Sequence, residues 1–232
     1  MINKVDGIAA ITYRDAAFFR GETSVPVIDI PFGVNPEDFT PSYEVNENPT
    51  LYHIGSMNWM PNEEGIRWFL KNVWEKLKER EPDLKLNLAG RHMPKWLMNL
   101  KKKNVKVWGE VPDAKEFIKN NDIAIVPLLS GSGIRIKIIE SMAMGKTVIT
   151  TMIGAEGIQY SEYNNIIIAD NPTKIVETIC RLMKDPDEIQ RIGKNARKLI
   201  EDIYDNKKII DRLLIFYDEI SKKKKDITYI NH

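Results

Sequence analysis

From residue 50 onward, short apolar runs alternate with longer segments of helical periodicity, and no other feature of this sequence constrains its fold as strongly. Parallel strands need a crossover between them, usually a helix, so this alternation is typical of a parallel sheet flanked by helices. The apolar runs predict six strands, at residues 51–55, 84–89, 105–108, 123–128, 147–151 and 166–169. We therefore predict an α/β fold with a Rossmann-like, doubly wound parallel sheet.

The segments between and after these runs carry apolar residues at three- and four-residue steps, the period of a helix with one buried face. They predict helices at residues 62–80, 94–102, 114–120, 134–144, 172–184, 186–204 and 206–221. In the last of these, Ile209, Leu213 and Phe216 fall on one apolar stripe.

Residues 1–49 differ from the rest, because they predict a single strand–helix–strand unit at 7–12, 14–20 and 25–31, followed by a connector. One such unit cannot enclose a core of its own. It must therefore pack on the main domain or on a surface supplied by something else.

The balance of 34 basic and 33 acidic residues gives a net charge of +1, which disfavours general binding of DNA or RNA. Cys180 is the single cysteine, so neither an intrachain disulfide nor a cysteine-based metal cluster is expected. The sequence has no long apolar run of the kind that spans a membrane, and we predict a cytoplasmic location. The lysine run at 222–225 is predicted to be a solvated tail; the alternative is a peripheral contact with the inner face of the membrane.

Residues 123–146 contain the most informative stretch, in which a buried strand is followed by a glycine-rich loop and a helix that ends at Gly145. A strand's carboxyl end and the free N–H groups of the next helix favour a phosphate, which we place at Ser132, Gly133 and Ile134. Arg135 and Lys137 are unusual in a first helical turn, because a helix N-terminus repels cations. A bound anion would offset that repulsion; the alternative is a plain Gly-Ser loop with solvated basic residues.

Other signals for chemistry are weaker. His53 lies inside a strand pattern and is predicted to be a packed histidine rather than a base. Asp185 and Asp187, on either side of Pro186, spell an Asp-x-Asp metal motif, but their position between two helices favours capping.

Several segments, taken in order, resemble the donor-binding C-terminal half of a GT-B glycosyltransferase of family 4, also called group 1. The segments are GSMNWMPNEEG at 55–65, LAGR at 88–91, VWGEV at 107–111, PLLSGSGIRIKIIESMAMG at 127–145, TVITT at 147–151 and GAEG at 154–157. PFGVN at 31–35 is similar to the connector between the two halves of such enzymes. The resemblance covers about residues 50–200.

This resemblance implies a retaining, metal-independent transfer of a sugar, with hexosyltransferase-like activity, from a UDP-sugar or GDP-sugar to an unidentified glycan, lipid or protein acceptor. No cofactor and no metal are implied. Of the family's paired glutamates, the second falls on Glu140, which would bind the ribose hydroxyls. The first falls on Ser132, so the carboxylate that contacts the transferred sugar is replaced by a hydroxyl.

The family also places an arginine and a lysine for the diphosphate in the loop after the first strand, and here that loop has neither. We predict that Arg135 and Lys137 replace them as the catalytic residues that neutralise the leaving diphosphate. The remaining donor-binding residues implied by the resemblance are Gly55 and Ser56 in the first loop, Arg91 after the second strand, and Val111, whose backbone would meet the base.

The predicted domains are 1–49, a remnant of an acceptor domain with its connector; 50–205, the nucleotide-sugar-binding domain; and 206–232, a helix with a basic tail. Because only the donor half is complete, we expect an acceptor-domain partner or a homo-oligomer, with the Ile209, Leu213 and Phe216 stripe partly exposed or covered by a second copy. The isolated chain should bind nucleotide but transfer at most traces of sugar. The alternatives are a non-catalytic nucleotide-sugar-binding module and a sugar-nucleotide epimerase-like protein of the same fold.

Overall fold

The computed structural model describes residues 4–230, with side chains up to residue 222. Its first unit is a two-stranded parallel sheet of β1 (Ile8–Ala10) and β2 (Val27–Asp29), connected by helix α1 (Tyr13–Glu22). The hydroxyl of Thr12 caps α1 by accepting from the Asp15 backbone N–H at 3.0 Å. A 3-10 helix, Pro36–Asp38, lies in the connector that follows.

Six parallel strands form the main sheet, as the sequence predicts: β3 (Thr50–Ile54), β4 (Lys85–Ala89), β5 (Val105–Gly109), β6 (Ile123–Val126), β7 (Thr147–Thr150) and β8 (Ile167–Ile168). Their order across the sheet is β5-β4-β3-β6-β7-β8, which is the Rossmann order and confirms the predicted fold class. In the central pairs, Leu51 lies beside Ile123, and Ile123 beside Thr147. Every residue of β6 and β7 is buried, because helices cover both faces.

The helices are α2 (Met60–Asn72), α3 (Trp74–Arg80), α4 (Lys95–Met98), α5 (Ala114–Lys119), α6 (Ile136–Ala143), α7 (Pro172–Leu182), α8 (Pro186–Ile203) and α9 (Asn206–Ile230). The predicted helix at 62–80 is divided in two at Val73, which is both the C-cap of α2 and the N-cap of α3 and has a φ of −115°. The one predicted at 94–102 shortens to α4. As predicted, Asp185 caps α8, accepting from the Glu188 N–H at 2.9 Å.

Two apolar clusters fill the space between the sheet and its helices. One lies under α2, α3 and α7 and includes Trp74 and Phe69, and the other lies under α6 and α8 and includes Met142 and Ile200. Arg197 of α8 is buried and ties the connector to this second side. Its Nη1 donates to the carbonyl oxygens of Phe39 at 2.8 Å and Ala143 at 2.7 Å.

Helix α9 corrects the prediction for the end of the chain. It runs well beyond residue 221, and the side chains of Lys223, Lys224 and Lys225, part of the predicted solvated run, lie outside the described residues. Of the apolar stripe that we expected to be partly exposed or covered by a second copy, Leu213 is half-buried, whereas Ile209 and Phe216 are only 5% and 7% exposed. The stripe packs inside the chain, against the first unit.

Two contacts show this packing. A side chain at Gly7 would meet Phe216 at 3.1 Å, and Arg212 donates to the backbone oxygen of Asp29 at 3.0 Å. The apolar residues that α9 exposes are instead on its other side, at Ile210, Leu214, Ile215 and Tyr217. Among the helices of the described part of the chain, none has both the length and the apolar character needed to cross a bilayer.

Candidate functional site

The main sheet has a switch point between its central strands β3 and β6, where successive strands begin to be added on the opposite side. The loops that leave the carboxyl ends of two such strands diverge and create a crevice, the usual ligand site of doubly wound folds. Here the two loops are residues 55–59, which lead into α2, and residues 127–135, which lead into α6.

The first loop is held closely by backbone hydrogen bonds. The Gly55 N–H donates to the Ala89 oxygen at 3.1 Å, and the Met57 N–H donates to the Arg91 oxygen at 2.9 Å. Asn62 donates to the Ser56 carbonyl oxygen at 2.8 Å, while the Ser56 hydroxyl donates to Asn58 at 2.7 Å. The loop therefore has a fixed shape before any ligand is added.

The second loop contains Gly131 and Gly133, both with positive φ angles of 104° and 88°. These angles suit glycine and let the chain turn sharply toward the crevice. Helix α6 begins at Ile136, two residues later than predicted, so Ser132, Gly133 and Ile134 belong to the loop and Arg135 is the N-cap residue. The reason is local, since Arg135 has extended backbone angles.

Arg135 lies at the centre of this loop and is only 4% exposed. Its Nη1 donates to the carbonyl oxygens of Ser132 and, at 2.5 Å, Gly133. Its Nε and Nη2 are buried and have no hydrogen-bond partner among the described residues. A buried guanidinium with unused donors is unfavourable by itself and is suited to an anion.

Lys137, the second residue of α6, points into the same crevice. Its ammonium donates to Asn62 Oδ1 of α2, on the opposite side of the crevice. The ring of Trp59 lies against both cations, with Arg135 at 5.1 Å and Lys137 at 5.6 Å from its centroid. Burial, and then the neighbouring charge of Arg135, lower the pKa of Lys137 to about 7.

His53 is 1% exposed, which confirms that it is packed. Its Nδ1 lies 2.8 Å from the carbonyl oxygen of Ile125 on the neighbouring strand. Its Nε2 is buried, and no described residue bonds to it. Burial, followed by the charge of Lys137, lowers the pKa of His53 to about 3, so the ring is neutral.

Beside the crevice, a cleft of about 370 Å³ is lined by Glu140 of α6, Pro112 and Lys115 around the start of α5, and Phe39 of the connector. Burial raises the pKa of the Glu140 carboxyl, and Lys115 partly opposes this shift. The Lys115 ammonium donates to the Asp38 oxygen at 2.7 Å and lies 4.5 Å from the Phe39 ring centroid. Val111 is partly buried against the apolar cluster under α6 and α8, to which Phe39 also belongs.

On the other side of the second loop, a cleft of about 610 Å³ separates Ser132 and Gly133 from α1. Thr12, Asp15 and Glu156 contribute polar groups to its walls. The second loop and the helix that follows it therefore border two clefts as well as the crevice: Ser132 lines one cleft, and Glu140 lines the other.

Most of the predicted site residues lie around this crevice, but Arg91 contributes only its backbone oxygen, which accepts from the Met57 N–H of the first loop. Its side chain is 71% exposed and forms an ion pair with Glu110 at 3.0 Å. Sequence reasoning missed four residues that line the crevice or its clefts, because nothing in the sequence reports which loops face each other: Phe39, Trp59, Asn62 and Lys115. Within the part of the chain that the structure describes, no three His, Cys, Asp or Glu side chains are grouped so that they could hold a metal ion.

Comparison with known proteins gives three kinds of similarity. A family model described as "Glycosyl transferases group 1" matches residues 48–185. A Klebsiella pneumoniae protein named as an uncharacterized 44.6 kDa protein in the cps region is 26% identical over 176 residues, covering 72% of this chain and 45% of its own length. A glycosyltransferase of Methanocaldococcus jannaschii is 27% identical over 107 residues, or 42% of this chain and 27% of its own.

Solved structures extend the similarity over nearly the whole chain. Sucrose-phosphate synthase from Thermosynechococcus elongatus superposes with a TM-score of 0.72 at 17% identity, covering 94% of this chain and 59% of that one. Anabaena Alr3699/HepE, solved with UDP and glucose, gives 0.69 at 14% identity, covering 92% and 63%. These likenesses show the fold, that of one Rossmann-like half of a GT-B glycosyltransferase. The chain spans less than half the length of the curated relatives it matches.

Proposed function

Because the chain belongs to the group 1 glycosyl transferases, we propose that its crevice binds a nucleoside diphosphate sugar and that it is the donor-binding half of a retaining enzyme. The observation that carries this proposal is Arg135, a buried cation with two unpaired donor nitrogens at the switch point of the sheet. The diphosphate is the anion that fits there. The Anabaena relative in fold was solved with UDP and glucose, which supports the same ligand class.

In this proposal the nucleoside occupies the cleft of about 370 Å³ beside Glu140. The Glu140 carboxylate accepts hydrogen bonds from both ribose hydroxyls, since a carboxylate has enough acceptor sites for two donors. The backbone near Val111 meets the base. This cleft therefore determines whether the nucleotide that binds carries uracil or guanine.

The diphosphate lies between the two loops. Arg135 and Lys137 neutralise it, the backbone of Ser132, Gly133 and Ile134 approaches it, and Gly55 and Ser56 form the opposite wall. When the bond from the sugar to the diphosphate breaks, negative charge grows on the leaving group, and cations fixed beforehand stabilise that charge best. The sugar then points toward Ser132 and the cleft of about 610 Å³. No metal takes part.

Calorimetric titration of the purified chain with UDP, GDP and ADP tests this proposal and identifies the base. Glu140→Ala should weaken binding of the preferred diphosphate by about 2 to 4 kcal/mol, because two charge-assisted hydrogen bonds are lost. Glu177→Ala, an exposed glutamate on α7, is the matched control and should leave the dissociation constant unchanged. A loss below tenfold at Glu140 contradicts its role at the ribose.

Two further titrations separate the parts of the site. Lys137→Met should weaken UDP much more than uridine, since only UDP carries the phosphates. Addition of EDTA or Mg²⁺ should not change the affinity, and a strict requirement for a metal contradicts the proposal. Transfer to an acceptor needs the acceptor hydroxyl held against the sugar, so we expect the 232-residue chain alone to give trace turnover beside clear binding.

A further inference from the structure

His53 is a buried titratable side chain that the proposed function leaves unused. Its Nδ1 lies 2.8 Å from the Ile125 carbonyl oxygen, which can only accept a hydrogen bond. Nδ1 therefore carries the ring proton, and Nε2 has a free lone pair. That lone pair is buried at the carboxyl end of β3, without a donor among the described residues.

A buried acceptor without a donor is destabilising, and folded proteins keep few of them. The position of His53 shows where a donor can come from. Three polar atoms lie around the position that a side chain on Gly55 would occupy. A Cβ placed there would lie 2.7 Å from Lys137 Nζ, 2.9 Å from Asn62 Nδ2 and 3.3 Å from His53 Nε2.

Of Lys137 and Asn62, Lys137 has the larger number of N–H groups that are not already in a hydrogen bond. The Asn62 amide nitrogen has two N–H groups, and one of them is fixed by its hydrogen bond to the Ser56 carbonyl oxygen, which leaves a single N–H. The Lys137 ammonium has three N–H groups, and its hydrogen bond to Asn62 Oδ1 uses one of them. The absence of a side chain at Gly55 leaves room for Lys137 to reach the histidine.

We infer that His53 is a positioning residue for Lys137: with a diphosphate in the crevice, the Lys137 ammonium donates to His53 Nε2 and Asn62 Oδ1 and directs its third N–H at a phosphate oxygen. The inference rests on the proposed function for the identity of the ligand. It assigns His53 a role that neither its strand position nor its burial requires.

The charges around Lys137 explain why such a partner is useful. Arg135 on the same loop and helix repels the ammonium, β3 contributes the neutral ring of His53, and α2 contributes the uncharged Asn62. Burial and Arg135 both favour loss of the Lys137 proton near neutral pH. The ammonium is a stronger hydrogen-bond donor than the neutral amine, so the acceptor lone pair of the imidazole favours the protonated form that a diphosphate needs.

The test compares UDP and uridine binding between pH 6 and 9 for the wild type, His53→Phe, His53→Gln and Lys137→Met. Phenylalanine keeps a ring of similar size but accepts no hydrogen bond, whereas glutamine restores an acceptor oxygen. We expect His53→Phe to weaken UDP by about fivefold or more at pH 8, to leave uridine unchanged, and to move the loss of UDP affinity to lower pH. His53→Gln should restore part of both effects. The ionisation of UDP itself is common to all variants, so comparison at one pH removes it.

Thr147→Val is the matched control, because it removes another buried hydrogen bond, to the Ile189 oxygen at 2.6 Å, at the opposite edge of the sheet. It should lower stability without changing the pH profile of UDP binding. If His53→Phe does not fold, nitrogen NMR of the wild-type histidine remains decisive: the Nε2 resonance should move when UDP is added, as a lone pair acquires a donor.

An unchanged Nε2 resonance, an equal loss of UDP and uridine in His53→Phe, or an unshifted pH profile overturns the inference. Those results leave the proposed function standing. If Lys137→Met binds UDP as well as the wild type does, Lys137 has no part in phosphate binding and the inference fails, while nucleotide binding itself stands. If the wild type does not bind UDP, GDP or ADP, the proposed function fails, and the inference fails with it.

Discussion

At the amino edge of the six-stranded sheet, the buried carboxylate of Asp122 accepts four hydrogen bonds, two each from Asn46 and Thr50, at 2.7 to 3.1 Å. At the carboxyl edge, the buried guanidinium of Arg135 leaves two nitrogens unpaired, and His53 leaves one. Both edges bury polar groups of the same strands. Asp122 at the first edge is satisfied from within the chain, whereas Arg135 and His53 at the second keep polar atoms without a partner among the described residues.

This difference separates polar groups that hold the fold from those that we propose bind or position a ligand. Full satisfaction at the amino edge fixes the start of β3 to the start of β6, so the register of the central strands is set there. Incomplete satisfaction at the carboxyl edge costs stability, and that cost is typical of a binding site. Three experiments can break or sharpen the comparison.

The largest effect on stability is expected at the satisfied edge. Asp122→Ala removes four hydrogen bonds, and the partly buried Thr50 and the exposed Asn46 lose the acceptor that joins them to the start of β6, so the free energy of unfolding should fall by about 2 kcal/mol or more. Urea denaturation measures this change. Asp211→Ala, at an exposed position on α9, is the control and should change stability by less than about 0.5 kcal/mol. UDP affinity of the folded Asp122→Ala protein should stay within about twofold of the wild type; a large loss of affinity means that the two edges are not independent.

At the unsatisfied edge, Arg135→Met should have the opposite pattern. The apolar side chain removes two unpaired donors, so the free energy of unfolding should stay the same or rise by about 1 kcal/mol. UDP affinity should fall by about tenfold or more, because a phosphate loses its buried partner. A clear loss of stability with unchanged UDP affinity shows instead that Arg135 serves only to hold the carbonyl groups of Ser132 and Gly133.

The third comparison concerns pH and one lysine at each edge, and the effect is small at any single pH step. Burial lowers the pKa of Lys137 to about 7 and that of Lys146 to about 8, both below the ordinary value near 10.5. Between the folded and unfolded pKa values the unfolded chain binds more protons, so stability should rise with pH, from about pH 7 through Lys137 and from about pH 8 through Lys146. Each lysine adds a slope of at most about 1.4 kcal/mol per pH unit.

Thermal unfolding between pH 6.5 and 9.5 measures these slopes. Lys137→Met should remove the part that begins at the lower pH, and saturating UDP should do the same by keeping Lys137 charged. Lys146 donates to the Lys119 oxygen at 3.0 Å at the amino edge, so its part should persist with UDP present. Equal responses of the two lysines to UDP contradict the distinction between the edges.

Much of this contrast is predictable from sequence, and some of it is not. The apolar runs place Gly55 and residues 127–135 after strands, and parallel strands bring such positions to one edge. The burial of the Arg135 side chain was not predictable, because a basic residue after a glycine-rich loop is normally solvated. The start of α6 was misplaced for a related reason, since Arg135 folds back on its own loop.

The end of the chain gives a second example. The stripe of Ile209, Leu213 and Phe216 was recognised from its spacing, but its partner was not, because spacing along one helix reports only which residues share a face. The partner is the first unit, whose Gly7 leaves space for Phe216. Contacts between residues about two hundred positions apart have no local signal.

The sequence by itself determined the α/β class, the six strands and the motif order that identifies the family, because strand and helix periods and turn residues act over short distances. Only the tertiary structure decided that His53, Asn62 and Lys137 surround Gly55, that Trp59 lies against two cations, and that Arg135 is buried with unused donors. These facts depend on which loops the packed sheet brings together. Burial and hydrogen-bond satisfaction are properties of that assembly and of no single segment.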